Sequence, residues 1–265
     1  MQDISNVENY STIIAGGNYS VEWAIDIGES GRLITHQGEY LTFGGDRILI
    51  ATAGAENGFR EDLLKSVSVT NAMFGGTPVL GQCVSAEVDI EMLVPEMIIP
   101  RMAQIRVYNR IFNNTLTSGW LNQGVFYIDT RSYDNTIDGI RTLKLHGFDA
   151  MLMTEQAYVW NLAAGAADID VVQDIAEQLQ FSVDPRTFDI MTKGYTINSE
   201  QVGQYSMREM LGYLAGAYAG SFIMTPTNEL RLVQMTTVPP ETNYLAVFEG
   251  PVIYSLTFGG DRILV

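Results

Sequence analysis

The chain has one cysteine and only two histidines. Cys83 has no second cysteine to pair with, so an internal disulfide is excluded. His36 and His146 have no companion at the spacing of metal ligands, which argues against a zinc site and against Cys–His catalysis. Because Cys83 lies in the strand-like stretch GQCVSAEVDI, we predict that its thiol is buried and inert.

Long apolar runs are also missing. No stretch reaches the ~20 apolar residues that a membrane-spanning helix needs. The most apolar stretch, MLGYLAGAYAGSFIM, is broken by glycines and predicts a buried helix followed by a strand. No charged segment followed by an apolar one marks a signal peptide. We therefore expect no membrane insertion.

Basic residues are few. The chain has 15 Lys and Arg residues and 31 Asp and Glu residues, which gives a formal net charge of −16. Such a surface repels phosphate, which argues against a protein that grips DNA or an anionic membrane. The same charge suits the wall of a passage through which DNA slides, although solubility is the commoner reason for an acidic surface.

Strand patterning dominates the first half of the chain. Apolar and polar residues alternate in VSAEVDIE, and this strand should end before Pro95. Further strands are predicted at 104–112 (QIRVYNRIF), at 124–133 (GVFYIDTRSY), at 140–148 (IRTLKLHGF) and, more briefly, within 18–26. The turn-forming DNTIDG makes 124–133 and 140–148 antiparallel partners.

Helices are predicted later in the chain. FDAMLMTEQAY (148–158) favours a short helix with Asp149 near its start, and DVVQDIAEQLQF (170–181) favours a second one with Asp170 and Gln173 at the spacing of a capping box.

A third helix is predicted over 205–220. Ser206 and Glu209 form its capping box, Gly220 is expected to end it, and its many small residues would let another backbone approach closely. SFIMTPTNELRLVQM then predicts a hairpin.

Strands and helices do not alternate strictly, which argues against a doubly wound parallel sheet. The sequence predicts an α+β fold in three parts: a β-rich, barrel-like part at 1–120, an α+β part with two helices and a hairpin at 121–240, and a β tail at 241–265.

One nine-residue sequence, LTFGGDRIL, occurs twice, at 41–49 and at 256–264. LTF and RIL can form two short strands joined by a Gly-Gly-Asp turn, because paired glycines supply the positive φ angles of a tight hairpin. The same letters can also make one bulged strand. We favour the hairpin.

Patterns of catalytic chemistry are not found. FGGD and FGGT lack the lysine and the strand-to-helix context of a phosphate-binding loop, and there is no G-x-S-x-G motif. Glu87, Asp89 and Glu91 are expected on one strand face, whereas a glycosidase needs two carboxylates that face each other. Aromatic residues such as Trp120, Tyr127, Tyr133 and Trp160 could line a sugar groove, but core and interface packing is the simpler interpretation. We predict no catalytic, cofactor-binding or metal-binding residues and no cofactor.

Five stretches taken in order resemble the baseplate hub proteins of tailed bacteriophages and prophages. They are PVLGQCVSAEVDIEM, IPRMAQIRVYNRI, SGWLNQGVFYIDTRSYDN, TLKLHGFDAMLMTEQAY and YSMREMLGYLAGAYAGSFIMTPTNELRLV. The resemblance spans roughly 66–233. The chain looks like the N-terminal structural part of siphophage tail-tip, or tail-associated lysin, proteins and like the hubs of contractile tails.

The resemblance implies a structural and non-enzymatic role in the virion, at the tail tip, after assembly in the bacterial host cytoplasm. Hubs of this family are homotrimers whose subunits each carry two barrel-like domains, with an α+β subdomain between or beside them. They join the sixfold tail tube or distal tail protein to a threefold spike or fibre, near the tape-measure protein, and DNA passes through them only as cargo.

The repeat acquires a hypothetical role from this resemblance. If each copy lies at an equivalent place in two barrel-like domains, three subunits present six equal elements to a sixfold partner. The speculative assembly contacts are then Gly44, Gly45, Asp46 and Arg47 with Gly259, Gly260, Asp261 and Arg262. A plain duplication of good hairpin sequence is the alternative. The rival function is a β-rich module that binds or hydrolyses carbohydrate, and a third possibility is another tube or baseplate component.

Overall fold

The computed structural model describes residues 4, 7–27, 31–32, 42–43, 46–47, 49–50, 59, 62–72, 79–95, 99, 101–135, 141–197, 205–234, 255–258 and 261–264. The chain divides into two compact units, Met1–Gln234 and Met235–Val265.

The strands are short at both ends of the chain and long in its middle. They are β1 Ser20–Ile27, β2 Gly31–Arg32, β3 Thr42–Phe43, β4 Asp46–Arg47, β5 Leu49–Ile50, β6 Leu64–Thr70, β7 Glu87–Leu93, β8 Gln104–Phe112, β9 Leu121–Asn135, β10 Arg141–Asp149, β11 Ala166–Ala167, β12 Ser182–Val183, β13 Thr196–Ile197, β14 Gly220–Met224, β15 Glu229–Gln234, β16 Ser255–Phe258 and β17 Asp261–Leu264. The α-helices are α1 Tyr10–Ala15, α2 Asp168–Gln178, α3 Arg186–Ile190 and α4 Met207–Ala217, and a 3₁₀ helix covers Ala150–Glu155.

Six antiparallel strands form a nearly closed, barrel-like sheet in the order β1-β8-β9-β10-β7-β6. The two edge strands come together where Ile25 of β1 and Phe59, shortly before β6, exchange backbone hydrogen bonds of 3.1 and 2.8 Å. Closure of this kind removes most of the free edge that an open sheet exposes. The α+β fold class with a barrel-like sheet is therefore confirmed.

The interior of this sheet follows from the alternation in its strands. In β7, Val88, Ile90 and Met92 point inward and are at most 2% exposed, while the residues between them face outward. Ile105 and Val107 of β8 complete the same apolar cluster, together with Ile25, Phe126, Ile128, Leu143 and Leu145 from neighbouring strands. Period-two patterning thus gives the barrel its core, as the sequence predicts.

A second apolar cluster holds the α+β part. Val172 and Ile175 of α2, Leu211 and Leu214 of α4 and Phe222 of β14 are at most 4% exposed and pack together. The three-stranded sheet β12-β15-β14 contributes the hairpin that SFIMTPTNELRLVQM predicts, with Met224 opposite Leu230. The barrel-like sheet continues past residue 120. Its strand β8 ends before that residue and its strand β9 begins after it, and the two strands pair with each other.

The expected strands are found with adjusted ends. β8 has the predicted bounds, and the β9–β10 pair is antiparallel as predicted. β7 begins three residues later than expected. Just before it, the Ala86 carbonyl accepts a hydrogen bond from the Asp149 amide, which extends the β7–β10 pairing by one bond, and the Ser85 hydroxyl accepts one from Arg208.

The capping box at Ser206 is confirmed, and the one at Asp170 is wrong. Ser206 caps α4, and its hydroxyl and the Glu209 carboxylate exchange hydrogen bonds with each other's backbone amides at 3.1 and 2.8 Å. In α2 the helix starts at Asp168. Asp170 is the third helical residue, and its carboxylate accepts from the Ala167 amide at 3.2 Å.

Two other helix expectations also change. Residues 148–158 hold a 3₁₀ helix, and Asp149 caps it by accepting a hydrogen bond from the Met151 amide. The predicted stop of α4 at Gly220 is wrong, since the left-handed residue after the helix is Ala219 (φ 52°) and Gly220 opens β14. Gly220 is needed there because a Cβ would lie 2.4 Å from the Val233 carbonyl oxygen. Among the described residues, no helix is long and apolar enough to cross a membrane.

Candidate functional site

Both copies of the repeated sequence form antiparallel hairpins with one register. In the first copy Phe43 pairs with Asp46 and Thr42 with Arg47. In the second copy Phe258 pairs with Asp261, and Thr257 pairs with Arg262. The hairpin prediction is confirmed, with one correction: the aspartate begins the returning strand instead of belonging to the turn, so two residues remain between the strands, the shortest common hairpin loop.

The predicted assembly contacts on these hairpins stay predictions. Gly44, Gly45, Gly259 and Gly260 lie outside the described residues, and so do the side chains of Asp46, Arg47, Asp261 and Arg262. The first hairpin is followed by β5, whose Leu49 and Ile50 pair with Arg32 and Gly31 of β2. His36 also lies outside the described residues.

The outward face of the barrel-like sheet carries two polar rows that cross four strands. One row runs Ser68, Asp89, His146, Thr130 from β6 through β7 and β10 to β9, as direct cross-strand neighbours. The next row runs Ser66, Glu91, Lys144, Ser132 across the same strands. Each row thus has a hydroxyl, an acid, a base and a hydroxyl in order. Together they line a shallow groove of about 240 Å³.

Two close contacts between side chains of neighbouring strands lie on this face. His146 Nδ1 lies 2.9 Å from Asp89 Oδ1, and Lys144 Nζ lies 3.2 Å from Asp134 Oδ2. Most of these side chains are well exposed, for example 67% for Asp89, so each contact adds little stability. Glu87, Asp89 and Glu91 lie on one face, as predicted. The face thus carries hydrogen-bonding groups along a shallow groove.

A second polar site joins the barrel-like sheet to the α+β part. Arg208 of α4 donates to Ser85 Oγ at 2.8 Å, to the Met151 carbonyl at 2.7 Å and to Thr154 Oγ1 at 3.3 Å, and it pairs with Glu155 at 2.9 Å. One side chain thereby ties together the start of β7, the 3₁₀ helix and α4. Beside it lies a groove of about 410 Å³ that Gln82 and Glu209 also line.

Asp149 lies at this junction and is 5% exposed. Burial raises the pKa of its carboxyl to about 7, while the amides of Ala86 and Met151 and the charge of Arg208 pull it the other way. The junction is thus held by a carboxyl that titrates near neutrality. The junction has the geometry of a structural contact, because the hydrogen-bond donors of Arg208 are used by other groups of the protein itself.

Cys83 behaves as predicted. Its side chain is fully buried, and burial raises the pKa of the thiol to about 11, so it is a poor nucleophile. No group of three or more His, Cys, Asp or Glu side chains that could hold a metal ion occurs among the described residues.

The aromatic residues mostly pack inside the protein. Tyr127 and Trp160 join the apolar cluster of the α+β part, which confirms core packing over a sugar groove for these two. Trp120 is covered by the guanidinium of Arg110 at 4.6 Å, and Tyr133, though 53% exposed, is in contact with Arg141.

Sequence reasoning missed the bases and hydroxyls of the polar rows and the joint at Arg208. The alternation in IRTLKLHGF predicts that Lys144 and His146 lie on one face of the strand, so this part of the rows could have been found from the sequence. Their position opposite Asp89 and Glu91 depends on strand register, and the contacts of Arg208 depend on tertiary packing, so neither could be read locally.

No protein-family model matches the chain, and a comparison with curated proteins finds no match either. Among solved structures, the chain is similar to a tail protein of Neisseria meningitidis MC58 (12% identity, TM-score 0.46, 80% of this chain and 50% of that one). It is also similar to the 43 kDa tail protein of prophage MuSo2 from Shewanella oneidensis (12% identity, TM-score 0.46, 82% of this chain and 56% of that one).

A third neighbour is the Francisella PdpA–VgrG complex in its half-lidded form (8% identity, TM-score 0.43, 81% of this chain and 31% of that one). The neighbours thus include phage and prophage tail proteins, the class that the sequence resembles. The chain spans about half the length of the two tail-protein structures. Likeness this remote does not transfer a function.

Proposed function

We propose that the chain is a structural subunit of a phage or prophage tail tip, in the manner of a baseplate hub. Three copies would form a ring that joins the sixfold tail tube or distal tail protein to a threefold spike or fibre below. The tape-measure protein is a further neighbour in such a tail, and the place of action is the virion. The role is one of assembly and not of catalysis.

The sequence resemblance supports this proposal because its segments belong to one packed unit. The five stretches contain β7, β8, β9, β10 and α4 with the β14–β15 hairpin. All of them lie in the unit Met1–Gln234, in the barrel-like sheet or in the α+β part that Arg208 joins to it. A resemblance that follows a packed unit is stronger than five unconnected matches.

The observation that carries the proposal is the shared register of the two hairpins. One sequence folds in the same way at two places, with Phe43 opposite Asp46 and Phe258 opposite Asp261. A subunit with two equal elements supplies six of them in a trimer, and a sixfold partner requires six equal contacts. A plain duplication of good hairpin sequence is the alternative, and it would give the same register without a shared contact.

The charge of the chain supports the part of the proposal that concerns DNA. With a net charge of −16, the subunit would offer a passage wall that repels phosphate. DNA would pass such a wall without adhering to it.

The test is the mass of the protein in solution. Light scattering across a concentration series, with and without the co-encoded distal tail protein, should give a mass of three chains or a ring recruited by that protein. A stable monomer that ignores the distal tail protein would overturn the proposal and would favour a screen for carbohydrate binding.

A further inference from the structure

Arg106 of β8 is the exception among the basic side chains that the structure describes, which do not include those of Arg32, Arg47 and Arg262. Each of the others lies within 4.0 Å of a carboxylate, donates to a backbone carbonyl or stacks on an aromatic ring. Arg106 makes no hydrogen bond, ion pair or ring contact of these kinds, and its Nε is buried without a partner. A guanidinium has five donors, and leaving them unused in a partly buried place costs free energy.

The nearest acid does not satisfy Arg106. Asp26 of β1 is its direct cross-strand neighbour, and the charge of Arg106 acts on it by lowering its pKa against the larger effect of burial. The two side chains nevertheless form no ion pair within 4.0 Å, and Asp26, which is 7% exposed, keeps its Oδ2 buried and unpartnered. Asp26 therefore acts on Arg106 through charge alone and does not use its hydrogen-bond donors.

The side chains near Arg106 on this face of the sheet are hydrogen-bonded to each other and not to Arg106. Gln104, two residues earlier on the same strand face, donates to the Tyr127 hydroxyl at 3.2 Å. Tyr127 is packed against the core of the α+β part. Arg106 itself is partly exposed, and only its Nε is fully shielded from solvent, so the outer end of the fork is open to another molecule. A guanidinium that has no partner inside the chain and is open at its outer end can bind a carboxylate through two parallel hydrogen bonds.

We propose that Arg106 is a socket for a carboxylate side chain of a second copy of this chain. Charge complementarity selects this occupant, because the chain carries 31 acidic residues against 15 basic ones and another copy therefore presents mostly carboxylates. A ring of copies brings two different surfaces together at each interface, so the socket on one copy meets an acidic residue on the next. This inference rests on the proposed self-association and adds the residue that fixes it.

The test compares Arg106→Gln with Arg101→Gln in the full chain by light scattering over a concentration series. Arg101 is the matched control, because it is an exposed arginine of the same sheet region that already pairs with Asp129 at 3.4 Å. Removing one partner of a largely desolvated charge pair should weaken association on the order of thirtyfold, while Arg101→Gln should leave it unchanged. Arg106→Lys keeps the charge and loses the fork, so it should fall between the two.

The thermal midpoint of dilute protein separates the socket from an internal bond. Arg106→Gln should not lower it, because no bond within the chain is lost. A lower midpoint with an unchanged association curve would show that water links Arg106 to Asp26 inside one copy, and that result would overturn the socket.

A wild-type trimer that Arg106→Gln does not weaken would overturn the socket alone. A wild-type dimer that becomes monomeric in Arg106→Gln would support the socket and overturn the trimer, and a wild-type monomer at every concentration would overturn both.

Discussion

The backbones of Gly81 and Gly212 lie in direct contact. A Cβ on Gly212 would lie 2.5 Å from the Gly81 carbonyl oxygen, and a Cβ on Gly81 would lie 2.2 Å from the Gly212 carbonyl oxygen. The Gly81 amide also donates to the Gly220 carbonyl at 2.9 Å. The chain before β7 is thus held against α4 and β14 at a place where only glycine fits, as the small residues of this helix predict.

Replacement of Gly212 by Ala should destabilise the protein, although alanine is the better helix former. The new methyl group meets backbone and not a movable side chain, so we expect a loss of about 1–3 kcal/mol in the free energy of unfolding. Gly216→Ala is the control on the same helix, since a Cβ there has open space and should add up to about 1 kcal/mol. Urea unfolding measures both, and equal effects of the two changes would contradict the close contact.

Removal of the Tyr218 hydroxyl should also destabilise the protein. This hydroxyl donates to Asp168 Oδ2 at 2.5 Å, and Asp168 is fully buried. Tyr218→Phe leaves that carboxylate oxygen without its partner, which should cost about 1.5–3 kcal/mol in the free energy of unfolding. Tyr213→Phe is the control, because Tyr213 is 61% exposed, and it should change stability by less than about 0.5 kcal/mol.

Asp149 should make stability depend on pH near neutrality. Its pKa is about 7 in the folded protein and about 4 in an unfolded chain, so the folded state binds the proton more tightly. The resulting stabilisation is complete below about pH 4 and is lost as the pH rises through 7, on the order of 2 kcal/mol between pH 5 and pH 8.

Asp149→Asn isolates this effect, because the amide oxygen can still accept from the Met151 amide while the charge is gone. Thermal unfolding from pH 5 to pH 8 should show a flatter pH dependence in the variant than in the wild type. Asp134→Asn, at an exposed residue that pairs with Lys144, should leave the wild-type slope in place. A slope that persists in Asp149→Asn would assign the titration to another group.

Alanine at Asp46 and at Asp261 should weaken binding to the distal tail protein or tail tube if the hairpins share a contact. Each change should reduce affinity by a similar factor, about fivefold, and the double change should multiply the two. Glu177→Gln on the exposed side of α2 controls for the loss of one negative charge. Unchanged affinity in both single variants would show that the repeat has no shared contact.

The parts of the fold that local patterns determine could be predicted. Alternation gave β8 its bounds, and Ser206 with Glu209 marked the start of α4. The repeated hairpins follow from paired glycines between short apolar stretches. In each case the residues that decide the structure are adjacent in sequence.

Features that depend on distant contacts could not be predicted. Position 220 requires glycine because of the Val233 carbonyl in the neighbouring strand β15, and not because the helix ends there. Ser85, just before β7, is hydrogen-bonded to Arg208, more than 100 residues away. The unpaired state of Arg106 appears only when its neighbours in three dimensions are known, because a sequence containing Asp26 and many other acids predicts an ordinary ion pair.

The most direct test of the proposed hub role is electron cryomicroscopy of the chain bound to purified tail tubes or to the distal tail protein. The proposal predicts a threefold ring of this chain with six equivalent contacts to the sixfold partner, each made by a copy of the repeated hairpin. Absence of binding, or a ring in which only one of the two hairpins of each subunit touches the partner, would contradict it.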